Sequence, residues 1–143
     1  MLSTVAMIKL GNVYENMMIN LRPTNDKLKK RMIRIVTDSA ADFEPIELEK
    51  MNIVCVPLQV TFGEDEYKEN INLTKDEFYT LLRENLQMPK TSQPTPFDFE
   101  EKLSEYKDNG EECVVITLSS GLSGTYKNVL LVKEMLEYED CYV

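Results

Sequence analysis

The 143-residue chain contains no histidine. That absence excludes a Ser-His-Asp or Cys-His arrangement built from this chain, and any imidazole-based zinc site. Basic residues are scarce as well. Sixteen Lys and Arg stand against 25 Asp and Glu, a formal charge of −9, and a nucleic-acid partner requires a basic face. No apolar run approaches the ~18 residues of a membrane span. Lys9, Asn12 and Glu15 interrupt what would have to be the apolar core of a secretory signal. The cytoplasm is the expected compartment, with membrane contact limited to a transient kind. The three cysteines, Cys55, Cys113 and Cys141, have neither metal-ligand nor redox spacing and sit in or beside apolar runs. They read as buried reduced thiols, and no metal or cofactor is expected.

What is present suits one globular domain with a real core: 43% of residues are hydrophobic and 29% charged. Residues 1–31 read differently from the rest. Met1 to Leu10 could form a short strand and Asp26 to Arg31 is polar and basic, but no periodicity is sustained. Residues 1–31 are therefore expected to be an extension, disordered or upstream of a natural start at Met32, and residues 32–143 the domain.

Ile33-Arg34-Ile35-Val36-Thr37 is β-branched and predicts a strand. A helix is expected from Asp42 to Met51, with Phe43, Ile46, Leu48 and Met51 on its apolar side and Pro45 in its first turn. Ile53 to Phe62 predicts the next strand, with Pro57 marking an edge or an irregularity. Gly63-Glu64-Asp65 turns the chain, and Glu66 to Glu69 predicts a short strand back. Thr74 with Glu77 has capping-box spacing, ahead of a helix whose buried face is Phe78, Leu81, Leu82 and Leu86. Pro89 to Pro96 is a loop that its prolines keep from being helical. Thr95 and Pro96 then open a helix to about Asn109, with Gly110 beyond it. Cys113 to Leu118 is a strand, Tyr126 to Glu137 a helix, and Asp140 to Val143 the beginning of another strand.

Strands alternating with helices of this length predict an α/β fold, a parallel-type sheet with helices on both faces, incomplete at the C-terminus. Ligands in such sheets sit at the carboxyl ends of the strands. Three hydroxyl-bearing loops fall near that edge: Thr37-Asp38-Ser39, Thr91-Ser92-Gln93, and Ser119-Ser120 with Ser123 and Thr125. The last follows a strand and opens a helix, a geometry that suits a carboxylate or phosphate. The same residues also suit plain structure. The hydroxyls could cap and turn the chain, with Thr125 as the cap and Gly121 and Gly124 supplying backbone freedom. Asp38 could be catalytic, and Asp-Ser before a helix is equally a capping arrangement.

Three stretches carry a resemblance. Thr37-Asp38-Ser39-Ala40-Ala41-Asp42 resembles the "T-D-S-x-x-D" opening of the DegV family. Pro89 to Pro94 looks like its "P-K-T-S-Q-P" loop, and Leu118 to Tyr126 is similar to its "L-S-S-x-L-S-G-T-Y" turn. The resemblance implies the N-terminal lobe of a bacterial fatty-acid carrier of the FakB-like kind, not an enzyme itself. Such a carrier holds a long-chain fatty acid and presents its carboxyl group to a separate FakA-like fatty acid kinase, which makes the acyl phosphate. By motif, Thr91 and Ser120 correspond to the carboxylate ligands. Ser92 either touches the ligand or braces the loop, and Ser119 and Gly121 complete the candidate set. Family members run to nearly twice this length, with a second α/β domain that closes the tunnel and adds a basic or imidazole contact.

That chemistry is coherent. Neutral hydroxyls and backbone N–H groups hold a carboxylate without locking both oxygens in an arginine fork. A chain of about sixteen carbons, at ~0.8 kcal/mol per buried methylene, supplies most of the affinity, so the hydroxyls orient more than they anchor. The competing reading is an enzyme or binding domain for a small phosphorylated metabolite, cradled by Ser119 to Thr125. The loop lacks the Gly-x-x-x-x-Gly-Lys-Ser/Thr pattern of nucleotide-triphosphate sites and the Gly-x-Ser-x-Gly of hydrolases.

Overall fold

The computed structural model describes residues 33–85 and 87–143, together with the backbone of two short strands, β1 (Val13–Tyr14) and β2 (Met17–Met18), which pair antiparallel. The expected strand at Met1 to Leu10, the basic stretch Asp26 to Arg31 and the packing of Leu86 lie outside the described residues.

The expected alternation of strand and helix forms a four-stranded parallel sheet, in the order β4-β3-β8-β9. Its strands are β3 (Ile33–Asp38), β4 (Ile53–Val56), β8 (Glu112–Ile116) and β9 (Cys141–Tyr142). Val36 pairs with Val54 on one side and Val115 on the other, which fixes the side-chain parity of the sheet. One face carries Val36, Val54, Val56, Cys113, Val115 and Cys141, and it is closed by helices α3 (Pro96–Asp108) and α4 (Thr125–Met135). Phe99 and Leu103 from α3 and Val129 and Val132 from α4 complete that core. The opposite face, with Ile33, Ile35, Ile53 and Val114, is only half-buried.

At the amino ends of the strands, Arg34 Nε donates to Glu111 Oε2 at 2.7 Å and Nη2 to Oε1 at 3.0 Å. The guanidinium also stacks over the Tyr106 ring at 5.3 Å. Glu111 is buried, so this two-pronged partner is what makes its charge tolerable there.

The single strand expected from Ile53 to Phe62 is two. The chain breaks at Pro57-Leu58, where proline has no N–H for a ladder, and β5 (Gln59–Phe62) enters a second sheet. There β5 pairs antiparallel with β6 (Asp65–Lys68) and with β7 (Lys90–Ser92). Gly63, at φ +63°, makes the hairpin turn between β5 and β6. Part of the proline-bounded loop is therefore a strand: prolines at 89 and 94 forbid helix but leave the residues between them free to pair. Helix α2 (Lys75–Glu84) covers this sheet and begins with the expected capping box, Glu77 N–H to Thr74 Oγ1 and Thr74 N–H to Glu77 Oε2.

Helix α1 is shorter than expected, Pro45–Met51, because Ser39–Ala41 forms a separate 3-10 turn that ends at Asp42 with φ 55°. None of its residues is buried, and Ile46 is 56% exposed, so its apolar side is left largely uncovered. Helix α3 starts as expected at Thr95-Pro96, with Asp98 completing its capping box, and ends before Gly110 at φ +65°.

Candidate functional site

The carboxyl ends of β3 and β8 carry two of the three hydroxyl-bearing loops, and most of their polar side chains are engaged within the protein. Asp38 is 2% exposed and makes no side-chain cap. Its Oδ2 instead accepts the Leu118 N–H at 2.9 Å, across 80 residues of sequence. The capping reading of Asp38 is thus corrected: the carboxylate joins the end of β3 to the turn after β8. Thr37 Oγ1 donates to the Asp38 carbonyl at 3.3 Å. Ser39 Oγ accepts the Leu58 N–H at 2.9 Å and donates to Glu69 Oε2 at 2.5 Å, holding the point at which β4 gives way to β5.

In the turn after β8, the Ser119 carbonyl accepts from Leu122 N–H at 2.8 Å and from Ser123 N–H at 3.0 Å. Ser119 Oγ accepts the Gly121 N–H at 3.3 Å. Helix α4 begins at Thr125 and its N-cap is Gly124, so Thr125 is not the cap. Thr125 is fully buried, its hydroxyl lies 2.9 Å from that of Ser123, and Ser123 Oγ takes the Thr125 N–H at 3.2 Å. Nor do Gly121 and Gly124 supply left-handed backbone: among the described residues the glycines of positive φ are Gly63 and Gly110, and Gly124 sits at φ −78° and ψ −1°.

The third loop belongs to the antiparallel sheet rather than to the parallel one. Thr91 pairs with Val60 and Ser92 with Gln59. Ser92 Oγ donates to Gln59 Oε1 at 3.3 Å, so it braces the loop. Two contacts bring this loop to the β8–α4 turn: Asn128 Nδ2 donates to the Pro94 carbonyl at 2.9 Å, and the Gln93 amide lies against Gly124.

Thr91 and Ser120 differ from the other candidates. Both are exposed, and the side-chain hydrogen bonds among the described residues engage their neighbours Ser92 and Ser119 but neither of these two hydroxyls. Thr91 opens onto a cleft of about 240 Å³ whose apolar wall is Val60, Leu73, Phe78 and Tyr79. Lys75 stands at its rim, bound to Glu44 at 2.7 Å and to Asp42 at 3.1 Å, and these carboxylates hold its ammonium above the usual lysine value. Glu69, oriented by Ser39, lines the same cleft. An exposed hydroxyl at an apolar cleft, as at Thr91, can orient one polar end of a mostly apolar ligand.

The thiols take no part in this arrangement. Cys113 and Cys141 are register partners on β8 and β9 and are fully buried, and burial pushes the half-buried Cys55 up to about 11. Among the described residues no cluster of three or more acidic, Cys or His side chains could hold a metal, and no helix is long and apolar enough to cross a membrane.

A family model described as "Uncharacterised protein, DegV family" matches residues 32–143. The chain belongs to the DegV family. A DegV domain-containing protein of Halalkalibacterium halodurans is 40% identical over 106 residues, covering 73% of this chain and 38% of the relative. Among solved structures, a stearic acid-binding protein of Eubacterium ventriosum superposes with a TM-score of 0.71 at 31% identity, covering 78% of this chain and 39% of that one. DegV of Bacillus subtilis, described as a fatty acid binding protein, gives 0.68 at 34% identity over the same shares. This DegV chain thus spans about two-fifths of the length of the relatives it matches.

In this DegV domain the contact of Gln93 with Gly124, and the places of Asn128, Glu69 and Lys75, have no signal in the motifs. Asn128 falls one helical turn beyond Gly124, a spacing that could have linked it to the same turn. The roles of Glu69 and Lys75 depend on how the second sheet folds back, which no local pattern reports.

Proposed function

We propose that this chain is the N-terminal lobe of a fatty-acid carrier in which Thr91 and Ser120 take the carboxyl group. The observation that carries the reading is the division among the loop hydroxyls. Ser39, Ser92, Ser119, Ser123 and Thr125 are engaged within the protein, while Thr91 and Ser120 remain open to a ligand. The fatty acids named for the structural neighbours support the choice of ligand. The cleft beside Thr91, at about 240 Å³, is below the ~300–1,000 Å³ usual for a small-molecule site, so it takes part of an acyl chain. The lobe carries and orients; a separate fatty acid kinase in the cytoplasm performs the phosphoryl transfer. Residues 1–31 are an extension ahead of this lobe, a reading that the family match from residue 32 supports.

Native mass spectrometry of the purified chain tests the ligand. A bound fatty acid of sixteen or eighteen carbons is the expected result, and a phosphate ester without lipid overturns the reading in favour of a phosphorylated metabolite. Thr91→Ala and Ser120→Ala are expected to lower acyl-phosphate formation by a fatty acid kinase by about tenfold or more, with lipid retention changed far less. Equal phosphorylation of both variants and the native chain refutes the assigned roles.

A further inference from the structure

We propose that Gln93 is the positioning residue that sets Thr91 against Ser120, by seating its amide where residue 124 has no side chain. The inference rests on the carboxylate reading of Thr91 and Ser120. Gly124 has an ordinary right-handed backbone, φ −78° and ψ −1°, which alanine adopts without strain. Conformation therefore does not require glycine there. Space does. A Cβ on residue 124 would overlap Gln93 Oε1 and lie 3.0 Å from both Cδ and Nε2 of that side chain.

One helical turn further on, Asn128 donates to the carbonyl of buried Pro94 at 2.9 Å. Consecutive residues of one loop are thus fastened at two points along α4. Both fastenings are close to the hydroxyls they govern. Thr91 lies two residues before Gln93 in a strand whose register against β5 is fixed at Val60. Ser120 lies four residues before Gly124, in a turn closed by the Ser119 carbonyl. With both arms short and hydrogen-bonded, the junction sets the separation of the two hydroxyls. The displaced atoms in an alanine variant would be the far end of a flexible side chain. Gly124→Ala therefore evicts the Gln93 amide and leaves the fold in place.

The test compares hexadecanoic acid with its methyl ester, which fills the same apolar space but offers no carboxylate. The native chain is expected to prefer the acid. Gly124→Ala and Gln93→Ala are each expected to lower that preference by about tenfold, to the same level, and the double variant no further. Ester affinity stays within about twofold throughout, because the apolar cleft is untouched. Asn128→Ala, which loosens the junction from its other point, lowers the preference as well. Additive losses in the double variant, or full acid preference in Gly124→Ala, overturn the proposal. A native chain that binds both compounds equally, or neither, refutes the carboxylate reading. The junction is then judged by urea unfolding: a midpoint shift from Gly124→Ala that vanishes in the Gln93→Ala background supports it, and an unchanged shift overturns it.

Discussion

Around the parallel sheet, Val36, Phe99, Leu103, Cys113, Val129 and Cys141 are completely shielded from solvent, whereas the antiparallel sheet closes over Val60, Phe62 and Leu73, with Tyr67, Phe78, Leu81 and Leu82 half-buried around them. The deep core sits between sheet strands and two helices. The shallow one sits between a three-stranded sheet and α2, which buries no residue fully. Ser120 leaves the deep region, and Thr91 rides on an edge strand of the shallow one. The proposed carboxylate pair therefore spans a stable platform and a less stable flap, the end of the stability range from which ligand-binding segments are drawn.

Cutting one aromatic from each core should separate the two regions most strongly. Phe99→Ala is expected to destabilise by about 3–5 kcal/mol. Phe78, half-buried and edge-on to Phe62 at 5.6 Å, loses less: Phe78→Ala is expected to cost about 1–2 kcal/mol. Urea unfolding measures both, and amide exchange locates them. Phe99→Ala should raise exchange throughout, while Phe78→Ala should raise it in β5, β6 and β7 and leave β3 and β8 near their native values. Equal losses, or global exchange in both variants, would show that the two sheets unfold as one unit.

A smaller effect is expected at the ligand edge. Asp38→Ala removes the acceptor of the Leu118 N–H and is expected to cost about 1–3 kcal/mol, the penalty of a donor left without its partner. Asp38→Asn retains an acceptor oxygen and should recover most of that loss. If alanine and asparagine are equally damaging, the carboxylate charge and not the hydrogen bond is what the turn needs. Either variant acts from within the stable platform, so exchange at Ser119 to Ser123 should rise while β7 stays unchanged.

Asp38 also shows what the sequence could and could not make legible. Its place at a strand end was readable from the β-branched run before it, as were the caps at Thr74 and Thr95, because strand period and capping are local properties. Its partner was not, since Leu118 is 80 residues away. The break after Val56 was foreshadowed by Pro57 and the hairpin of β5 with β6 by Gly63, but the pairing of β5 with β7 is announced by no nearby residue. Among the site candidates, motif resemblance singles out Thr91 and Ser120, while the partners of their neighbours required the fold. Ser92 as a brace needs Gln59 across the strand pair. The purpose of Gly124 needs Gln93, and a glycine's letter cannot distinguish a demand for space from a demand for positive φ.

The smallest predicted effect concerns a salt bridge between the two regions. Lys68 on β6 reaches Asp98 in the first turn of α3 at 2.8 Å, so an ion pair ties the flap to the platform's helix. Burial pushes the Asp98 carboxyl up, but hydrogen bonds from Lys68 and from the hydroxyl and N–H of Thr95 outweigh it and hold the group below its ordinary value. A carboxyl depressed in the folded state contributes stability that is full above its unfolded value, about 3.9, and is lost as pH falls through the folded one. Lys68 is 45% exposed, so solvent screening limits the contribution to about 0.5 kcal/mol. Asp98→Asn should therefore lower stability slightly at neutral pH and flatten the acid limb of the stability curve below pH ~4, the window in which the native carboxylate takes up its proton. Amide exchange in β6 should follow the same limb. An acid limb identical in Asp98→Asn and the native chain would mean that the ion pair is too weak to couple the two sheets, leaving the junction at Gln93 and Pro94 to hold Thr91 in place.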